Sequence, residues 1–178
     1  ATQDADGYIG IYDKELRYKF DNENGELWAK ATLYRVLLGW YEYKKDNAIL
    51  TAIEKAANNV MAAYPIHQSH PFYSVNPNAG GLTHGLAFTD VLEQLYGITK
   101  NEAYMDYCLF MYKDFSEQLL NEDAQFSKLS DRDIPLKGHG VHTYEHLRSA
   151  AAAYYASGNP ALKKALDNFL YKIKRVTT

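Results

Sequence analysis

The sequence predicts an all-α fold of antiparallel helical hairpins in inner and outer layers, and three observations predict it. First, a glycine-led unit recurs: Gly25, Gly80 and Gly138 align at offsets of 55 and 58 residues. Second, the segments Lys45-Asp46-Asn47-Ala48, Lys100-Asn101-Glu102-Ala103 and Gly158-Asn159-Pro160-Ala161 fall at the same offsets. Each is a short polar turn between two helix-length apolar stretches, so the unit is a helical hairpin present three times. Third, connections alternate. Turns inside a unit take about four residues, as antiparallel helix pairs do. Links between units are long, roughly Pro65 to Gly80 and Leu120 to Lys137.

Residues 1–24 are polar and irregular, with Gly7-Tyr8-Ile9-Gly10-Ile11-Tyr12 as the one apolar cluster and a short extended piece. The three units run 25–79, 80–137 and 138–178 and make one domain. The first helix of the first unit is apolar over most of its circumference: Leu27, Trp28, Ala31, Leu33, Tyr34, Val36, Leu37, Leu38, Trp40 and Tyr41. Such a helix belongs between layers. The second helices are one-sided. Ile49, Ala52, Ile53, Ala56, Ala57, Val60 and Met61 form one stripe, and Leu162, Ala165, Leu166, Phe169, Leu170 and Ile173 another. Tyr104, Cys108, Met111, Phe115 and Leu119 do the same in the middle unit, which leaves one face of each second helix in water. Ala150 to Ala153 offer small side chains for close helix approach. First helices therefore form the inner layer and second helices the outer one. The arrangement resembles half of an (α/α)6 toroid, with an open solenoid as the alternative.

Composition narrows the function classes. The chain has 178 residues, enough for one domain with a real core. Tyrosine is over-used, 16 against 7 Phe and 2 Trp, which suits walls between a core and a wet groove. A net charge of −3 gives no electrostatic case for nucleic acid or an anionic membrane. No apolar run reaches 18 residues, so no membrane span is expected. The basic run Lys172, Lys174, Arg175 reads as the last turn of a helix. One cysteine excludes an internal disulfide. Ala1-Thr2-Gln3-Asp4 carries no charged-then-apolar leader, either removed or never present.

The long links and the starts of the inner helices fall at one end, so chemistry is expected there. Glu26, His84, His139 and His142 sit at those starts, where positive helix termini favour a carboxylate or a polar oxygen. They read as the lining of a pocket for a polar ligand, which the family resemblance below makes a sugar, or as capping groups of helices and loops. Trp28 and Tyr144 are stacking platforms or core; Phe72 and Tyr73, on a link, are better platform candidates. Glycoside hydrolysis needs two carboxyl groups about 5–9 Å apart. Glu26, Asp131, Asp133 and Glu145 are the candidates, and no pair stands out, so the catalytic residues stay unknown. Asp131 and Asp133 read more simply as a solvated loop. His142-Thr143-Tyr144-Glu145-His146 also spells H-x-x-E-H, two histidines at i and i+4 of a helix as in a zinc metallopeptidase. That reading lacks a third ligand, and Gly140 argues against a helical His139. No cofactor signature is evident and no metal is assigned. A third class is a non-enzymatic helical scaffold.

The runs Gly7-Tyr8-Ile9-Gly10, Gly25-Glu26-Leu27-Trp28, Thr83-His84-Gly85-Leu86-Ala87 and Gly138-His139-Gly140-Val141 resemble those of the six-hairpin glycosidases. Within them the likeness is to the β-L-arabinofuranosidase-type glycoside hydrolases, formerly a domain of unknown function. It covers nearly the whole chain but only the N-terminal half of a typical catalytic barrel. The resemblance implies a hydrolase acting on complex or plant-type glycans, a carbohydrate ligand, and a periplasmic or secreted setting. It also implies completion by a C-terminal half of the barrel or by a second copy in a homodimer. Three departures stand out: Gly25 replaces a family histidine, the acidic residue after His84 is missing, and His142 replaces an arginine. The family's cysteine nucleophile and zinc-bound cysteine cluster have no counterpart. Cys108, on an apolar stripe, reads as a buried structural thiol.

Overall fold

A computed structural model describes residues 3–19 and 25–176. Of the lead-in segment, residues 1, 2 and 20–24 lie outside the described residues, as do 177 and 178 of the third unit. The described residues form an all-α structure without a strand. Three hairpins follow one another: α1 (Glu26–Lys44) with α2 (Asn47–Ala63), α4 (Phe88–Thr99) with α5 (Ala103–Glu117), and α7 (Gly140–Ser157) with α8 (Pro160–Val176). The short α3 (Gly80–Thr83) and a 3-10 turn, His84–Ala87, lead into α4, and α6 (Phe126–Ser130) lies in the second long link. Gly7–Tyr12 forms no strand but packs irregularly over α1 and α2.

The repeat is visible in the turn chemistry. α1, α4 and α7 each end on a left-handed residue, Lys45, Lys100 and Gly158, with φ of 55°, 60° and 62°. Their N–H groups donate to the carbonyls of Tyr41, Tyr96 and Tyr154, which recur at the same offsets of 55 and 58. The next residue, Asp46, Asn101 or Asn159, accepts from the N–H two residues on, at Ala48, Ala103 and Ala161, over 2.9–3.1 Å. One stop signal and one start signal, repeated three times, give each unit its short turn.

α1, α4 and α7 stand side by side as one row, and each packs on its own hairpin partner α2, α5 or α8. α4 and α7 touch through buried hydroxyls, Thr89 and Ser149 at 2.7 Å, beside Ala150, Ala152 and Ala153. This is the close approach that small side chains permit. Asp90 on α4 pairs with Arg35 of α1 at 3.5 Å and Arg148 of α7 at 2.7 Å, tying the row together.

Burial departs from the sequence expectation in two helices. α5 does not leave a broad face in water. Packed on both α4 and α7, it buries Tyr104, Met105, Tyr107, Cys108, Phe110, Met111, Tyr112 and Phe115. Asp106, Lys113 and Glu117 keep a narrow wet stripe, and Leu119, beyond the helix end, is exposed. α1 is not buried all round. Leu27, Ala31, Tyr34 and Leu38 face the core, while Trp28, Leu33, Val36, Trp40 and Tyr43 are exposed. Leu170 is exposed too. Asn168 and Lys172 take buried places on α8 and donate to the carbonyls of Leu129, Ser130 and Lys128. So Lys172 anchors α6, while Lys174 and Arg175 occupy the last turn of α8. Among the described residues no helix is long and apolar enough to cross a membrane.

Candidate functional site

The starts of the three inner helices meet. Gly85 lets them do so, because a Cβ there would lie 2.9 Å from Leu27 Cβ. The 3-10 turn carries His84 against the first turn of α1, and Trp28 stacks flat on it, 4.1 Å between ring centroids and 13° between planes. From α7, the His142 ring approaches His84 at 4.2 Å, and His139 approaches His142 at 5.1 Å. One turn further along, Glu145 Oε2 meets His84 Nδ1 at 2.5 Å. His146 lies behind, 5.4 Å from the His142 ring and edge-on to Phe115.

Two acidic residues of the second link build the floor. Asp123 accepts from the N–H groups of Lys137 (3.1 Å) and Gly138 (2.7 Å) and from Thr143 Oγ1 (3.1 Å). It thereby fixes the approach to α7. The fit is close at Gly138: a Cβ there would lie 3.0 Å from Asp123 Oδ2, so the carboxylate would have to give way. Glu122, also buried, meets His142 Nδ1 at 2.9 Å and faces His146 Nδ1 at 3.5 Å. Burial pushes the Glu122 carboxyl upward, but His146 and His142, with the Thr83 hydroxyl, outweigh it and hold the group down at about 2. Glu122 is therefore ionised at every ordinary pH.

Of the residues singled out from sequence, His84, His139, His142 and Trp28 come together, and Glu145 and His146 join them. Glu26 does not. It is buried under the lead-in segment, accepting from Tyr8 Oη (2.9 Å) and the Tyr18 N–H (2.8 Å), with Lys30 Nζ at 3.6 Å. Its role is to hold that segment on α1. Tyr144 packs edge-on against Phe169 of α8. Tyr73 is exposed and lines a separate cavity with Tyr18, Tyr64, His70 and Leu82. Phe72, expected as a platform, is core, edge-on to Phe115 at 5.8 Å. His139 occupies the N-cap position of α7, but its side chain makes no capping bond. His70 bonds Asp114 at 2.7 Å and pins the first link to α5. Asp131 accepts from the Asp133 N–H in an exposed turn, as a solvated loop does. Cys108 is fully buried, its thiol pushed up chiefly by burial, which leaves it unreactive.

Glu122 and Asp123 were not legible beforehand. An acidic pair inside a polar link looks solvated, and only the packing of that link beneath α7 buries it. The site can therefore offer imidazole nitrogens, one accessible carboxylate at Glu145 and an aromatic plate at Trp28. Comparison with protein-family models, curated proteins and solved structures finds no match.

Proposed function

We propose that this corner binds a carbohydrate, and that the chain is part of a glycoside hydrolase of the six-hairpin type acting on complex or plant-type glycans. The observation that carries the reading is the indole of Trp28, 42% exposed and lying flat beside a polar cluster. Sugars present an apolar C–H face and a polar hydroxyl edge, and a ring plate beside imidazole and carboxylate groups answers both. His139 and His142 offer hydroxyl partners on one side, with His84 and Glu145 on the other. The motifs at the three junctions support the family likeness. The three aligned hairpins support the architecture that goes with it.

The test uses intrinsic fluorescence. The chain has two tryptophans, so Trp40→Phe leaves Trp28 as the sole reporter. Titration with arabinofuranosyl and other plant-type oligosaccharides should give a saturable change. His142→Ala should weaken the affinity at least tenfold. No saturable response across the panel, or an unaltered response in His142→Ala, would remove this reading.

A further inference from the structure

The H-x-x-E-H segment supplies His146, which the carbohydrate reading does not use, beside His84 and Glu145, which it does. One ligand atom from each of His84, Glu145 and His146 lies within 4.8 Å of the other two. Two imidazoles and a carboxylate are a three-residue set that leaves a fourth position open on a tetrahedral ion. Zinc-type bonds of about 2.0–2.1 Å place ligand atoms roughly 3.3 Å apart, so small side-chain rotations close the set.

His146 provides an independent reason. Its ring is fully buried, 0% exposed; Nε2 has no hydrogen-bond partner, and Nδ1 has only the loose approach of the Glu122 carboxylate among the described residues. A buried polar group without a partner forfeits the hydration it had in the unfolded chain, and native structures retain few of them. The surroundings match what a ligating histidine needs. The Glu122 carboxylate faces His146 Nδ1 at 3.5 Å and bonds His142 Nδ1 at 2.9 Å. A carboxylate on that side favours the proton at Nδ1 and leaves the lone pair at Nε2. This is the outer support that orients metal-bound histidines.

We infer that His84, Glu145 and His146 form a binding site for one divalent transition-metal ion of the zinc class, with Glu122 as a positioning residue behind it. The ligand pair differs from the one the motif suggested. His146 takes part with His84 from another hairpin, not with His142 four residues before it. Nitrogen donors favour zinc or cobalt over magnesium or calcium. The inference stands without the carbohydrate reading, since its test uses metal ions alone.

The full chain, stripped with a chelator and dialysed, is titrated with Zn2+ by calorimetry and with Co2+ by visible absorption. One ion per chain is expected, with the intense ligand-field bands of a low-coordinate Co2+ site, and excess Mg2+ should not compete. His146→Ala and Glu145→Gln should each abolish stoichiometric binding. Glu122→Gln should weaken it about 10–100-fold. His70→Ala, an exposed histidine outside the set, should leave it unchanged. Circular dichroism checks the fold of each variant, and Glu145→Gln carries the test if His146→Ala does not fold. Failure to bind either ion stoichiometrically overturns the inference. So does binding that survives Glu145→Gln, that falls with His70→Ala, or that Mg2+ displaces.

Discussion

Replacing Asp123 tests how the second link holds the site. Asp123 is buried and accepts three hydrogen bonds, two from backbone N–H groups at Lys137 and Gly138 and one from Thr143 Oγ1. Bonds to a charged acceptor contribute about 1.5–3 kcal/mol each. The three are not additive, because Lys137 is exposed and water can replace the carboxylate there. Thr143 is buried, with the His139 carbonyl as its second partner among the described residues. Asp123→Ala should therefore cost about 3 kcal/mol, with a melting point roughly 6–12 °C lower for a chain of this size. Asp123→Asn keeps one acceptor oxygen and should cost about 1 kcal/mol. Urea unfolding followed by far-ultraviolet circular dichroism gives both values, with an unchanged slope if the denatured state is unaffected. A loss in Asp123→Ala within 0.5 kcal/mol, the range of a neutral surface change, would refute the latch. So would equal losses in the two variants.

The remaining predictions concern backbone fit and a buried cation. Gly85→Ala should destabilise by about 1–3 kcal/mol, because its Cβ would meet Leu27 at 2.9 Å; thermal melts read the loss. Gly39→Ala, mid-way along α1 with open space around it, should stabilise by about 0.5–1 kcal/mol in the same assay. Gly158→Ala meets no atom, so its expected cost of roughly 1 kcal/mol is that of a left-handed backbone alone. Burial draws the Lys30 ammonium down to about 8, with Glu26 acting the other way. Between pH 8 and the ordinary lysine value the unfolded chain binds more protons than the native one, so unfolding free energy rises with pH. Wild type should gain about 1–2 kcal/mol relative to Lys30→Met between pH 8 and 9.5; parallel pH profiles for the two proteins would contradict it.

The hairpins were legible because each carries its own punctuation. Lys45-Asp46, Lys100-Asn101 and Gly158-Asn159 stop one helix and start the next through local bonds, which a sequence displays directly. Burial around the helices was less legible, since periodicity identifies a face but not the neighbours that cover it. α5 lies deeper than its stripe suggested because it packs on both α4 and α7. α1 lies shallower because its Trp28–Tyr43 face has no helix against it among the described residues. Within the site, the histidines announced themselves by rarity and by position at the junctions. Glu26 carried the same positional signal and went elsewhere, drawn to Tyr8 and the Tyr18 N–H of a segment whose path no periodicity predicts. Glu122 and Asp123 gave no signal, because the link that buries them is fixed by tertiary contacts.

The convergence of three junctions on one corner is best tested by nuclear Overhauser contacts from the His84 ring protons in solution. His84 stacks on Trp28 at 4.1 Å and meets His142 at 4.2 Å, so one ring should report on all three hairpins. Cross-peaks from His84 to both the Trp28 indole and the His142 imidazole are predicted. A His84 ring that shows contacts to neither would contradict the shared corner.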